Sequence, residues 1–164
     1  MPWFEDFNVG YLVDLGTHRF EREGMTAFAR KYEPRLHYLD DEAAKDGPFG
    51  ELVASRAYIM AVWMKMLTRK RFEIAPYPDP QGRLPQQPIS PGFREMKFPQ
   101  NVRPGETIRF FTRPIEKADL KSRPEWGLVR SHNEAVNERD ELVLSFIGQE
   151  FVQRLLPNGG ARKP

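Results

Sequence analysis

Between Ser55 and Arg71 the chain carries a segment that is apolar around most of a helical circumference. Ile59, Val62, Trp63, Met66 and Leu67 fall on one stripe at helical spacing, and Ala57, Tyr58, Met60, Ala61 and Met64 fill much of the remainder. A helix patterned this way is a buried helix, because it needs partners on nearly every side. Ser55 suits the N-cap, and Arg69-Lys70-Arg71 bring positive charge to the negative pole of the dipole, so the predicted helix runs from Arg56 to about Lys70. That basic cluster reads as a solvated helix end in preference to a phosphate site. The longest wholly apolar run, Ala57 to Met64, is eight residues, against the ~20 that a membrane span needs.

What surrounds that helix follows from the change of period downstream. Phe93–Phe98, Thr107–Lys117, Trp126–Asn137 and Glu141–Leu155 alternate with period two and read as strands, with a hairpin at Asn137-Glu138-Arg139-Asp140. Tyr11–Glu21 is a further candidate strand. Upstream, Met25, Phe28, Ala29 and Tyr32 predict a short amphipathic helix stopped before Pro34, and Asp40 caps a brief helix over Asp41–Lys45. Helices first and consecutive strands later predict an α+β fold, with a curved antiparallel sheet wrapped around the one long central helix.

Proline is the compositional anomaly: 15 of 164 residues, eight of them between Pro76 and Pro104. Proline fixes φ and donates no ladder hydrogen bond, so Ala75–Pro91 is predicted to be neither regular helix nor central strand. It reads as an ordered excursion or a flap inserted into a single domain spanning residues 1–156, with residues 157–164 as a flexible tail.

Composition also narrows the function. There is no cysteine, which excludes disulfides, thiolate metal sites and Cys nucleophiles. The 25 basic and 23 acidic side chains leave a net charge of +2 with interleaved signs, so bulk charge gives nucleic-acid binding no support. The acidic start, Trp3-Phe4-Glu5-Asp6, is unlike a secretory signal, and the expected location is the cytoplasm. No two histidines share a metal-ligand spacing, and no metal is expected. His18 and His132 read as surface histidines. Arg109-Phe110-Phe111-Thr112-Arg113 reads as a strand with one buried and one solvated face, in preference to a base-stacking surface. No phosphate-cradling loop or Gly-x-Ser-x-Gly elbow is present.

An ordered set of segments then points to a family. Trp3-Phe4-Glu5-Asp6-Phe7-Asn8-Val9-Gly10, Phe28-Ala29-Arg30-Lys31-Tyr32, Leu39-Asp40-Asp41-Glu42-Ala43-Ala44 and Pro48-Phe49-Gly50-Glu51-Leu52-Val53-Ala54-Ser55 precede the long helix. Ser90-Pro91-Gly92, Val102-Arg103-Pro104-Gly105-Glu106-Thr107 and Val143-Leu144-Ser145-Phe146 follow it. Over about three quarters of its length the chain resembles the MaoC-like acyl-CoA dehydratases and the related (R)-specific enoyl-CoA hydratases. The resemblance implies a hotdog fold and a homodimer or higher homo-oligomer whose sheets join edge to edge. It also implies an acyl thioester substrate, with coenzyme A as part of that substrate and no other cofactor.

In the family a carboxylate and a histidine on the loop after the first helix hold one water across an enoyl thioester. Backbone N–H groups at the start of the central helix bind the thioester oxygen. Here the loop reads Glu33-Pro34-Arg35-Leu36-His37-Tyr38. Aligned without gaps, Glu33 takes the place of the family's Asp and Tyr38 that of its His, while His37 sits one residue earlier. Tyrosine, with an ordinary pKa near ~10, is a poor base. Arg56 stands where the family has Gly, and the oxygen-binding N–H groups would be those near Ser55, Arg56 and Ala57. Arg94, Lys97 and Arg103 are candidates for the coenzyme A phosphates, with surface solvation the better reading of each. The functions considered are a hydratase or dehydratase, a non-catalytic acyl-thioester-binding subunit, and a hotdog thioesterase. The last is disfavoured because no Asp or Glu lies between Arg56 and Arg71.

Overall fold

The computed structural model describes residues 1–156; the tail expected over 157–164 lies outside them. The elements, in chain order, are β1 (Val13–Arg19), α1 (Arg22–Tyr32), α2 (Asp41–Lys45), α3 (Arg56–Phe72), β2 (Ile89–Lys97), β3 (Thr107–Asp119), β4 (Trp126–Val136) and β5 (Leu142–Gln153). The strands form one antiparallel sheet in the order β1-β3-β4-β5-β2. Local chemistry accounts for the boundaries. Ser55 Oγ accepts from the Tyr58 N–H at 3.2 Å and starts α3. Asp40 does the same for α2 through the Ala43 N–H at 2.9 Å. In the β4–β5 hairpin Asp140 takes the left-handed conformation (φ 57°), and Asn137 Oδ1 accepts from the N–H groups of Arg139 and Glu141 at 3.0 Å each.

One stripe of α3, Ile59, Val62, Trp63, Met66 and Leu67, packs on the inner face of the sheet against Ile108, Phe110, Ala135, Leu144 and Phe146. The Trp63 ring meets Phe146 edge-on, centroids 4.7 Å apart. Further along the strands, Val129 and Val152 pack on Phe4, which sits in a single 3-10 turn over Phe4–Asp6.

Three expectations are corrected. The helix is not enclosed on all sides: Arg56, Ala57, Ala61, Met64 and Lys65 are exposed, because one sheet can cover only one side of a cylinder. Of its uncovered apolar side chains, Met64 lies beside β2, where Ile89, Phe93 and Met96 also face solvent. Second, β2 begins at Ile89, four residues before the expected Phe93, within a segment that the prolines barred only from helix and central strand. β2 is an edge strand with a register break between Ile89 and Gly92, and an edge tolerates proline. Third, Tyr32, placed on the apolar stripe of α1, is exposed at the last turn.

The proline segment is hydrogen-bonded both within itself and to the N-terminal turn. The Trp3 indole donates to the Tyr77 carbonyl at 2.9 Å, the Tyr77 hydroxyl donates to Asp6 at 2.7 Å, and the buried Asp79 carboxylate accepts from the N–H groups of Gln81 and Arg83. The segment is tied to the N-terminal turn.

Truncating the central contact should be costly. Trp63→Ala is expected to lower stability by ~3–5 kcal/mol in urea denaturation, and an unchanged midpoint would contradict the packing described.

Candidate active site

The loop after α1 is shaped by Pro34. Helix α1 ends at Tyr32, Glu33 takes a non-helical conformation, and the proline cannot continue the helix. The chain then makes a 3-10 turn over Leu36–Tyr38, with the Tyr38 N–H donating to the Arg35 carbonyl at 2.9 Å and the Asp40 N–H to the Leu36 carbonyl at 3.1 Å. The turn folds back onto the segment that leads into α3. Gly47 permits the approach: a side chain there would begin 2.8 Å from His37 Cβ.

The result is a recess of about 900 Å³, open to solvent and lined by Glu33, Arg35, His37, Tyr38, Pro48, Phe49, Arg56 and Ala57. Tyr38 is buried with Ala29 and Val53, against Leu39 and Phe49. Burial, then the negative charge of Glu33, push its phenol above the ordinary value, with the Arg35 and Arg56 charges opposing. Tyr38 is therefore a neutral hydrogen-bond donor at pH 7. The His37 ring packs against Tyr38 at 4.3 Å and Phe49 at 6.0 Å between centroids. Glu33 forms an ion pair with Arg35 at 3.4 Å. The described residues show no hydrogen bond from Glu33 to His37 or Tyr38, so the three share one recess without direct bonding.

The other wall is the first turn of α3. The Ala54 N–H donates to the Val102 carbonyl at 2.8 Å and fixes the entry, and Ser55, buried, spends its hydroxyl on the cap. The N–H groups of Arg56 and Ala57 are first-turn donors with no intrahelical acceptor, and both residues line the recess. The Arg56 guanidinium lies 5.4 Å from the Phe98 ring. Arg35, Pro48 and Phe49 had no role assigned from sequence. Phe49 carries a readable signal, since it falls in the Pro48–Ser55 segment that carries the family resemblance.

The remaining candidates sit elsewhere. Arg94 and Lys97 are exposed on β2, and Arg103 is paired with Glu51 at 2.8 Å. Arg109 pairs with Asp14 at 2.5 Å, and Phe110 beside it is fully buried, as a strand with one covered face requires. His132, partly exposed, contacts the Ser145 hydroxyl at 3.1 Å. Arg71 is not a solvated helix end: its guanidinium bonds both carboxylate oxygens of Glu150. Among the described residues no group of three or more His, Asp or Glu side chains converges on a metal-sized site, and no helix is long and apolar enough to cross a membrane.

An antiparallel sheet packed over one long helix defines the hotdog class. A Mycobacterium tuberculosis protein with a double hotdog fold superposes with a TM-score of 0.69 at 16% identity, over 99% of this chain and 46% of its own. An R-hydratase from Pseudomonas aeruginosa superposes at 0.64 and 16% identity, over 99% of this chain and 93% of its own. The MaoC-like dehydratase from Rhodospirillum rubrum is 30% identical over 94% of this chain and 98% of its own, with a TM-score of 0.78. The chain belongs to the MaoC-like dehydratase family. No family model and no curated protein sequence matches it.

His18 departs from its sequence reading as a surface residue. Its ring is wedged edge-on against Phe20 at 5.0 Å and faces Tyr58 at 6.4 Å, and its Nε2 is buried without a protein partner. Burial, aided by the Lys65 charge, holds its pKa below the ordinary value. The folded state then binds fewer protons than the unfolded chain, so this contribution is complete above the unfolded value of ~6.5 and is lost as pH falls through the lower folded value. Urea midpoints at pH 7.5 and pH 5 should therefore differ less in His18→Phe than in the wild type; equal differences would contradict the assignment.

Proposed function

We propose that the recess at the N-terminus of α3 hydrates or dehydrates an acyl thioester at its 2,3-bond. One observation carries the reading: Glu33, His37 and Tyr38 line the same recess as the first-turn residues Arg56 and Ala57. In the hydration direction the thioester oxygen accepts from the Arg56 and Ala57 N–H groups, at the positive end of the helix dipole, where negative charge grows as the enolate forms. Glu33 takes a proton from water as the water oxygen bonds to C3. The matching proton reaches C2 through the Tyr38 hydroxyl or His37. Coenzyme A enters only as the carrier of the substrate, and the chemistry needs no metal.

The exposed β2 edge beside the uncovered face of α3 supports a homodimer in which the two β2 strands meet. The cytoplasm, where acyl-CoA is available, is the proposed location. A second reading is a subunit that binds acyl thioesters without turning them over. The Glu33–Arg35 ion pair, together with the lack of a bond from Glu33 to Tyr38 or His37, favours it. The thioesterase reading gains nothing, since α3 carries no carboxylate.

Mixing with crotonyl-CoA or a longer trans-2-enoyl-CoA should bleach the enoyl absorbance, and Glu33→Gln should abolish the loss. Acid–base assistance from one group is worth ~10²–10⁴-fold, and turnover below that of a complete Asp–His pair is expected. If His37 is the partner, His37→Ala costs as much as Glu33→Gln and Tyr38→Phe is mild; the order reverses if Tyr38 is the partner. Binding without hydration, unaltered by all three substitutions, would establish the second reading. Sedimentation should give a dimer at micromolar concentration that Met96→Asp dissociates, and a wild-type monomer would contradict the assembly.

A further inference from the structure

The inner face of the sheet is apolar at both ends and polar in the middle. Phe110, Ala135 and Phe146 pack α3 at one end, and Val129 and Val152 pack Phe4 at the other. Between them, on the same side of their strands, stand Thr112, Ser131, Asn133 and Gly148, positions that the alternation of a covered sheet face assigns to apolar side chains. These residues floor a cleft beneath the C-terminal half of α3. Its inner part is roofed by Trp63 and Leu67, and its outer part, about 830 Å³, opens between Tyr11 and Ile74. The two parts share Leu67, Arg71, Thr112 and Ser131. Eleven residues of helix, roughly 16 Å, separate Leu67 from Arg56 in the thioester recess.

Two lining side chains leave a buried polar atom without a protein partner. Trp63, 3% exposed, has an indole N–H with no acceptor. Asn133, 1% exposed, has an amide oxygen with no donor, while its NH₂ donates to the Ser131 carbonyl at 3.0 Å, which fixes the orientation of the amide. A buried unpaired donor or acceptor is destabilising, and such groups in native proteins have partners. One group that both accepts and donates answers the pair. The nearby charges are already matched: Arg71 binds Glu150, and Lys70 binds Glu73 at 2.8 Å. A carboxylate would find no unpaired cation among these lining residues and would meet Glu150.

We propose that this cleft is a second ligand site, distinct from the thioester recess, that takes a neutral molecule with an apolar body and one hydroxyl at its buried end. The hydroxyl accepts from the Trp63 indole and donates to the Asn133 oxygen. The body lies along Leu15, Leu67 and Val13 toward the mouth.

Calorimetric titration of the full chain with 1-octanol, octanoate and 2-octanone tests this. Octanol should bind saturably. Octanoate, which lacks the proton, and the ketone, which cannot donate, should each bind about tenfold more weakly, the loss expected for one missing hydrogen bond. Trp63→Phe, which keeps the ring packing, and Asn133→Leu should each weaken octanol about tenfold, with folding checked by melting; if Asn133→Leu fails to fold, Trp63→Phe still decides. Glu33→Gln should bind octanol as the wild type does, so loss of hydration and loss of this site are read separately. No saturable heat with octanol would overturn the proposal, leaving a bridging water as the partner of the two atoms. Equal affinity for the three probes, or affinity unchanged in Trp63→Phe, would also overturn it.

Discussion

The packing of one face of α3 on the five-stranded sheet is the contact on which the rest depends. Ile59, Val62, Trp63, Met66 and Leu67 lose their water to Phe110, Phe146 and their neighbours, and burying side chains of this size stabilises by about 1.5–3 kcal/mol each. This contact sets the height and direction of the helix. The Ala54–Val102 hydrogen bond and the Ser55 cap then set where the helix begins. The first-turn N–H groups are consequently held in place by the core, and the Glu33–Tyr38 loop is folded against them by Pro34 and the side-chain-free Gly47. The first-turn N–H donors sit on a rigid element and the carboxylate on a loop, an arrangement that lets side chains at the loop change while the geometry of the donors persists.

Much of this was legible in the residues. The change of period from helical to alternating after the prolines gave the element order, and each of the five strands overlaps a segment read as a strand, with β2 starting four residues early. Two caps, at Ser55 and Asp40, followed from single side chains. The shared recess of Glu33, His37 and Tyr38 was foreseeable because the family resemblance fixes the loop between two aligned helices. Exposure was harder to read. The apolar residues Ala57, Ala61 and Met64 pointed to a fully enclosed helix, yet a pattern records what a surface can bury and not which chain buries it. His18 was misjudged because an edge strand suggests solvent. The Phe20 and Tyr58 rings that cover it come from a corner and a helix that only tertiary structure brings together. Arg71 looked like a dipole-matching charge, and its partner Glu150 lies 79 residues away.

With Tyr38 as the partner of Glu33, the proposed chemistry would have a different balance from an imidazole–carboxylate pair. Tyr38, kept neutral by burial and by Glu33, can hold a water and donate to it. In the proposed reaction it cannot serve as the base, so base strength would rest on Glu33, which is paired with Arg35. Arg35 and Arg56 add two positive charges to a recess with one carboxylate, which suits the anionic thioester proposed above.

The most direct measurement of the central claim is the infrared stretch of a carbonyl-labelled acyl thioester bound in the recess, with a saturated acyl chain so that no hydration occurs. Two first-turn N–H donors at the positive end of α3 should polarise that carbonyl and move its band to lower frequency than in free acyl-CoA. A bound thioester whose carbonyl band stays at its solution frequency would contradict the assignment of the α3 N-terminus as the oxygen-binding site.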